Sequence, residues 1–122
     1  MKKFGVVLKH TGMLAIICFL IPGYAFAQPQ SNTINPNGYN RFYYANGKLS
    51  SEGTMVNGKP DGFWRTYYET GKIKSEGNRK NQQLDSLWKF YNDSGQLTSA
   101  YIYKAGKKNG VQTEFYSNGN IK

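Results

Sequence analysis

The sequence predicts an all-β protein, an antiparallel β-hairpin repeat array that forms a single-sheet meander or solenoid with a period of 24 residues. The stretch 62–71 recurs almost four times without an insertion, so that Gly62 aligns with Gly38, Ser86 and Gly110. Short aromatic runs bounded by turn residues are typical of strands, and no helical period follows residue 27. One such unit cannot bury its own apolar face, so we expect neighbouring copies to stack.

The first 27 residues have the pattern of a secretory signal peptide. Lys2 and Lys3 precede an apolar run over 13–21, which is too short to span a bilayer as a helix. Ala25 and Ala27 supply the small residues of a cleavage site. We therefore expect cleavage after Ala27 and export to the periplasm, the cell surface or the medium.

Cleavage would remove Cys18 and His10, the single cysteine and the single histidine of the chain. The mature chain would then have no disulfide, no thiolate or imidazole metal ligand and no histidine-activated nucleophile. Three of the sixteen basic residues also precede the cleavage site, which leaves thirteen against seven acidic residues and a net charge of +6. The composition predicts a protein that is not an enzyme, holds no metal or cofactor, and favours anionic partners.

A short leader precedes the repeats. Residues 28–37 are polar, contain prolines and show no apolar period, which predicts a flexible segment. The repeat domain over 38–122 is long enough for one small domain with a marginal core, so its stability must come from repetition. The predicted repeats are 38–61, 62–85, 86–109 and a partial copy, 110–122.

Each repeat is predicted to form one hairpin. An aromatic run over 63–68 and an alternating run over 72–79 flank a short turn, and an Asn-Gly pair at this turn in two copies is a strong hairpin signal. Several positions keep their chemical type from copy to copy, and we expect them to maintain the repeat structure. These structural positions are Trp64, Trp88, Gly47, Gly71, Gly95, Gly119, Ile73, Leu49 and Leu97.

The preferred register has a two-residue turn, which pairs Tyr68 with Ile73 and Trp64 with Gly77. The glycine would leave room for the indole of Trp64, and the face that carries Trp64 would be the packed one. A three-residue turn with a glycine bulge is the alternative, because Thr and Ser are poor at positive φ. It would instead bring Phe63, Tyr67 and Ile73 onto the same face.

The segments between hairpins also have turn chemistry. The linkers 57–62 and 105–110 contain Asn, Gly and Lys, and they would lead each hairpin antiparallel into the next. The result would be a twisted meander of about seven strands. The linker 81–86 lacks both glycines, so we expect it to be the least regular.

The repeated pattern is Gly-x-Trp-(Arg/Lys)-x-Tyr-Tyr-x-x-Gly, followed by Asn-Gly-Lys-x-Asp-Gly. It resembles the bacterial variant of the MORN repeat, and most of all the type found in YwqK-family antitoxins. The resemblance covers 38–122. It implies an elongated β-hairpin array without catalytic residues that serves in protein–protein scaffolding and, in some members, associates with membrane lipid. The antitoxin type implies that a toxin is neutralised by binding.

Tyrosines and basic residues alternate on the face opposite the tryptophans in the preferred register. Tyrosine interleaved with arginine is typical of protein-binding surfaces, and a solvated face of charge pairs is the alternative. Glu52 and Glu76 are expected to pair with arginines rather than to act as acid and base. The candidate residues for binding a protein partner are Tyr43, Tyr67, Tyr91, Arg41, Arg65 and Lys89.

Two other modes of binding remain open. Basic and aromatic residues would suit an anionic envelope lipid or a cell-wall polymer, and the Trp64-x-x-Tyr-Tyr-x-x-Gly pattern also resembles the choline-binding cell-wall repeats. The partial fourth repeat would leave an open strand edge that suits edge-to-edge self-association. Such residues also bind single-stranded nucleic acid by stacking, but export argues against a nucleic-acid partner.

Overall fold

The computed structural model describes residues 33–122, and these form one open antiparallel sheet of seven strands. The strands follow one another in chain order, so the predicted all-β hairpin meander is confirmed. Within this stretch no helix is long and apolar enough to cross a membrane. The predicted signal peptide lies outside the described residues. The strands are β1 Gly38–Tyr43, β2 Leu49–Val56, β3 Lys59–Tyr67, β4 Ile73–Lys80, β5 Gln83–Tyr91, β6 Leu97–Lys104 and β7 Lys107–Glu114.

Residues 35–37 of the predicted leader are held against the sheet. The carbonyl of Pro36 accepts a hydrogen bond from the N–H of Gly58 at 2.9 Å. Pro60 and Leu84, one and two repeats later, accept the equivalent bond from the next turn. The prediction of a flexible leader is therefore wrong for residues 35–37, because the repeat unit already begins there.

The turn within each hairpin has three residues and not two. The N–H of Gly71 donates to the carbonyl of Tyr68, and the N–H of Tyr68 donates to the carbonyl of Lys72, each at 2.8 Å. Gly71 has a φ of 91°, which costs glycine little. The two-residue turn is wrong and the glycine-bulge alternative forms, because a two-residue turn would require positive φ at the β-branched Thr70.

The predicted pairing holds away from the turn. Trp64 lies opposite Gly77, because the register shifts by one residue beyond the turn and Lys74 is left without a cross-strand partner. This shift compensates for the longer turn. The predicted pairing of Ile73 with Tyr68 is therefore wrong. Ile73 pairs with Tyr67, on the face opposite the tryptophans.

Two-residue turns with positive φ at both positions join the hairpins. The prediction that the linker 81–86 is the least regular is wrong. Asn81 and Gln82 adopt φ values of 48° and 70°, and Ser86 has a φ of 60° where Gly62 stands one repeat earlier. Hydrogen bonds to the neighbouring hairpin impose this geometry even on residues that disfavour it. The three turns are Asn57-Gly58, Asn81-Gln82 and Ala105-Gly106.

Trp64 and Trp88 form the apolar core of the described sheet, with exposed fractions of 6% and 2%. Each indole covers a glycine on the strand before it: a Cβ built on Gly53 would lie 2.4 Å from the ring of Trp64, and one on Gly77 would lie 2.5 Å from that of Trp88. The Nε1–H of Trp64 donates to the carbonyl of Thr54 at 2.8 Å. Gly77 therefore makes room for Trp88 and not, as predicted, for Trp64, whose ring leans towards the preceding strand.

The outer copies of the tryptophan position obey the same constraint. Asn40 stands there in β1, before which the described chain has no strand for an indole to cover, and its side chain exchanges hydrogen bonds with the backbone of Asn35. Gln112 stands there in β7, opposite Tyr101 on β6. In the described sheet, the residue that lies opposite the tryptophan position on the preceding strand is therefore glycine only where the next strand carries a tryptophan. Opposite Gln112 it is Tyr101.

We predict that Gly77→Ala lowers the free energy of unfolding by about 1–3 kcal/mol, because the added methyl overlaps the ring of Trp88. The same substitution should cost much less in a Trp88→Gln background, because a glutamine at the tryptophan position does not need a glycine opposite it. Gln112 already stands opposite Tyr101 in this sheet. Urea unfolding of the four proteins measures both effects. A Gly77→Ala chain as stable as the parent would contradict this packing.

Candidate functional site

The face opposite the tryptophans is crossed by a ladder of alternating charges. Arg41 pairs with Glu52 at 3.2 Å, and Arg65 pairs with Glu76 at 2.9 Å, which confirms the expected ion pairs. Glu52 also lies opposite Arg65 across β2 and β3, and Glu76 lies opposite Lys89 across β4 and β5. Each carboxylate therefore sits between two cations. We call these five residues the charge ladder, and the side of the sheet that carries them the ladder face.

Tyrosines tie the charge ladder to the next repeat. The hydroxyl of Tyr67 donates to Oε1 of Glu52, and the hydroxyl of Tyr91 donates to Oε1 of Glu76 at 2.9 Å. Each tyrosine thus reaches back to the carboxylate of the repeat before it. The hydroxyl of Tyr43 has no hydrogen-bond partner among the described residues, where no earlier repeat supplies a carboxylate.

These contacts shift pKa values in opposite directions. Burial and the hydrogen bond to Glu52 raise the pKa of Tyr67 to about 12, and burial and the bond to Glu76 do the same for Tyr91. The hydrogen bond from Tyr67 lowers the pKa of Glu52. Burial would raise the pKa of Glu76, but the bonds from Arg65 and Tyr91 outweigh it and lower the pKa. Both carboxylates are therefore ionised and paired at neutral pH.

The structure places all six predicted partner-binding residues on the ladder face, in two adjacent rows. The three basic side chains are exposed, whereas the three tyrosines are half-buried. The tyrosines therefore support the charge ladder from one side, and the cations are what this part of the face presents to solvent. Leu49, Ile73 and Leu97 lie opposite Tyr43, Tyr67 and Tyr91 in the same row.

A third row, on the other side of the charge ladder, is apolar and was not among the predicted binding residues. Its five side chains have exposed fractions between 40% and 71%. The signal in the sequence was a position that stays apolar in all four copies, but the sequence did not show that this position faces solvent. We call this row the apolar stripe; it consists of Tyr39, Phe63, Leu87, Ile102 and Val111.

The apolar stripe is a sequence of ridges and shallow concavities. A concavity of about 270 Å³ lies between Tyr39 and Phe63, and one of about 350 Å³ lies between Phe63 and Leu87. The guanidinium of Arg41 lies 5.9 Å from the centroid of the Tyr39 ring, and that of Arg65 lies 5.1 Å from the Phe63 ring. The charge ladder and the apolar stripe therefore share one continuous surface.

A lysine ridge runs along the edge of the sheet where the turns between hairpins lie. Lys59 and Lys80 flank the first two turns, and Lys104 lies directly opposite Lys107 at the third. Like charges in such a pair repel each other. Within residues 33–122, no carboxylate forms an ion pair with any of these four lysines. We define the lysine ridge by these four residues.

The groups that the ladder face presents to solvent are cations, aromatic rings and apolar side chains. No group of three or more His, Cys, Asp or Glu side chains in the described part of the chain could hold a metal ion. The carboxylates of Glu52 and Glu76 are already engaged by arginine and tyrosine. What the face offers a ligand is apolar area, aromatic rings and arginine donors.

We predict that acid weakens the sheet through the charge ladder. Because folding lowers the pKa of Glu52 and Glu76 from the ordinary value of 4.5, their contribution to stability is complete above that pH and is lost as the pH falls through the folded-state values. The double variant Glu52→Gln/Glu76→Gln should show a flatter fall in thermal midpoint below pH 4.5. Glu69→Gln, at an exposed turn position, should keep the steep fall of the parent. An equally steep fall in the double variant would contradict the ladder as its cause.

We predict that Tyr67 and Tyr91 produce a late step, near pH 12, in an alkaline titration followed by ultraviolet absorbance. Their folded-state pKa of about 12 lies above the ordinary value of 10, so the stability they contribute is present below pH 10 and is lost as the pH rises towards 12. Tyr67→Phe/Tyr91→Phe should remove the late step. Survival of that step in the double variant would assign it to other tyrosines.

Comparison with known families places the chain among repeat proteins. The family model described as MORN repeat variant matches residues 36–57, 60–81, 84–105 and 108–122, which together make up more than half of the chain. These four matches follow the hairpin period of the sheet. Neither a curated protein nor a solved structure matches the chain. The chain therefore belongs to the MORN repeat variant family.

Proposed function

We propose that this chain is an exported, non-enzymatic repeat module that binds a partner protein through its ladder face. The observation that carries the proposal is that Arg41 and Arg65 are exposed yet fixed. Their side chains are 61% and 44% exposed, while the carboxylates that hold them are only 12% and 17% exposed. An arginine held in place loses less conformational entropy on binding, and arginine beside aromatic rings is typical of interface hot spots.

The size of the face supports a protein as the partner. Seven strands spaced by about 4.8 Å and about 25 Å long present roughly 700 Å² on one side. A stable protein–protein interface buries about 800 Å² on each partner, so a partner protein would cover the whole ladder face. The sheet has no second layer within the described residues that would cover this surface.

Two parts of the proposal rest on the sequence pattern. Export to the periplasm, the cell surface or the medium rests on the signal-peptide pattern of residues 1–27. Neutralisation of a toxin rests on the resemblance to YwqK-family antitoxins and is the narrower form of partner binding. A scaffold that binds another envelope protein is the form that agrees best with export.

A second candidate function is binding of an anionic envelope lipid or wall polymer, and the lysine ridge favours it. Lys104 and Lys107 face each other without a carboxylate between them, so an anion would relieve their repulsion. Each lysine near an anionic surface contributes about 1 kcal/mol, and the four lysines of the ridge would together supply roughly 4 kcal/mol. Binding of this kind would be sensitive to salt.

Capture from a native envelope fraction tests both functions. The mature chain, 28–122, serves as bait at low and high salt beside two matched baits, Arg41→Gln/Arg65→Gln on the ladder face and Lys104→Gln/Lys107→Gln on the lysine ridge. We expect one stoichiometric protein, identified by mass spectrometry, that survives high salt, is lost with the ladder bait and is still recovered, at most in reduced amount, with the ridge bait. Circular dichroism checks that each bait is folded.

The opposite pattern would support the second candidate. If only lipid or wall polymer is recovered, if high salt removes it, and if the ridge bait fails to recover it, the protein-partner proposal should be abandoned. Retention of the protein by the ladder bait would equally contradict the ladder face as the interface.

A further inference from the structure

The spacing of the apolar stripe limits what can bind to it. Tyr39, Phe63 and Leu87 lie on alternate strands of the sheet, and alternate strands are about 9.4–9.8 Å apart. The two concavities between these side chains are separated by the same interval. A ligand that fills both must present apolar groups on one side of its backbone about every 9.6 Å.

Regular backbones differ in their ability to meet this interval. A polyproline II segment has three residues per turn and a rise of about 3.1 Å, so every third side chain returns to the same side after about 9.3 Å. An extended strand alternates its faces, and its same-side residues recur at about 6.8 Å. An α-helix needs seven residues and about 10.5 Å, and its intervening residues would meet the ring of Phe63 between the concavities. The polyproline II geometry fits best.

The charges beside the stripe determine the polarity of the ligand. On one side lies the charge ladder, which holds three cations against two carboxylates. On the other side lie the four lysines of the lysine ridge together with two carboxylates, Asp61 and Asp85, so this flank has a net charge of +2. A segment lying along the stripe therefore has a net positive charge on both flanks. An acidic side chain at an outward position of each polyproline turn would complement this charge.

We infer that the apolar stripe binds an acidic, extended segment of a partner protein in the polyproline II conformation, with apolar side chains at every third residue seated in the two concavities. This inference rests on the proposed function and names the chemistry of the partner. The ring of Phe63 forms the wall shared by both concavities, and Arg65 stacks beside it. A preformed polyproline segment loses little conformational entropy when it docks on such a surface.

Three fluorescent peptides test the inference by anisotropy with the mature chain, 28–122. The first has four Leu-Pro-Glu triplets, the second has the same composition without a three-residue period, and the third is a helical peptide with leucines in heptads and glutamates elsewhere. We expect the triplet peptide to bind at least tenfold more tightly than either control peptide. Binding should weaken at least tenfold in Phe63→Ser.

Matched variants distinguish binding at the apolar stripe from non-specific hydrophobic binding. Tyr116 is also exposed, to 53%, but it follows β7 and lies outside the stripe, so Tyr116→Ser should bind the triplet peptide as the parent does. Leu87→Ser removes the far wall of the larger concavity and replaces Phe63→Ser if that chain fails to fold. Near-ultraviolet circular dichroism verifies the fold of each variant.

Three outcomes would overturn the inference. They are equal binding of the triplet and rearranged peptides, tighter binding of the helical peptide, and unchanged binding by folded Phe63→Ser and Leu87→Ser chains. The proposed function can survive this failure. If Phe63→Ser still captures the envelope protein while Arg41→Gln/Arg65→Gln does not, the partner binds the ladder face by another geometry.

Discussion

The contact between an indole and a glycine on the preceding strand is the interaction on which the rest of the sheet depends. A single-layer sheet has almost nowhere to bury apolar area, and here Trp64 and Trp88 are the apolar side chains that become buried. Each ring can reach the backbone of the preceding strand only because Gly53 or Gly77 has no side chain. The contact joins one hairpin to the next, and Phe42 then stacks on Trp64 with ring centroids 6.2 Å apart. Cohesion of the array is thus concentrated on one face.

This concentration leaves the other face free for polar and exposed groups. The charge ladder stabilises it through hydrogen-bonded ion pairs, which need no covering layer. The hydroxyls of Tyr44 and Tyr68 add a second link between repeats, because they donate to the carbonyls of Tyr67 and Tyr91. The rows of the ladder face are therefore held in fixed register without being buried. A surface of this kind keeps its shape before a partner arrives, which lowers the entropic cost of binding.

The fold class, the period and the pairing of Arg65 with Glu76 could be predicted because each follows from residue types at fixed spacing. The turn was predicted wrongly, because the favourable pairing of Arg65 with Glu76 fits a two-residue turn in an unbroken register. It fits the three-residue turn only with a register shift within the hairpin, which the residue pattern does not show. The prediction of an irregular linker at 81–86 was wrong for a related reason. Its lack of glycine suggested irregularity, but the neighbouring hairpin imposes the same turn on Asn81 and Gln82.

The sequence by itself determined which positions recur, and therefore that the chain is a β-hairpin array with a tryptophan row, a charge ladder and an apolar column. Only the tertiary structure decided what each row does. The indole of Trp64 could lean towards either neighbouring strand, and its direction depends on a glycine eleven residues earlier in the chain and on the carbonyl of Thr54. Once the tryptophans occupy one face, Phe63 and Leu87 lie on the other and remain exposed. Exposure depends on contacts between repeats, and a period within one chain does not specify them.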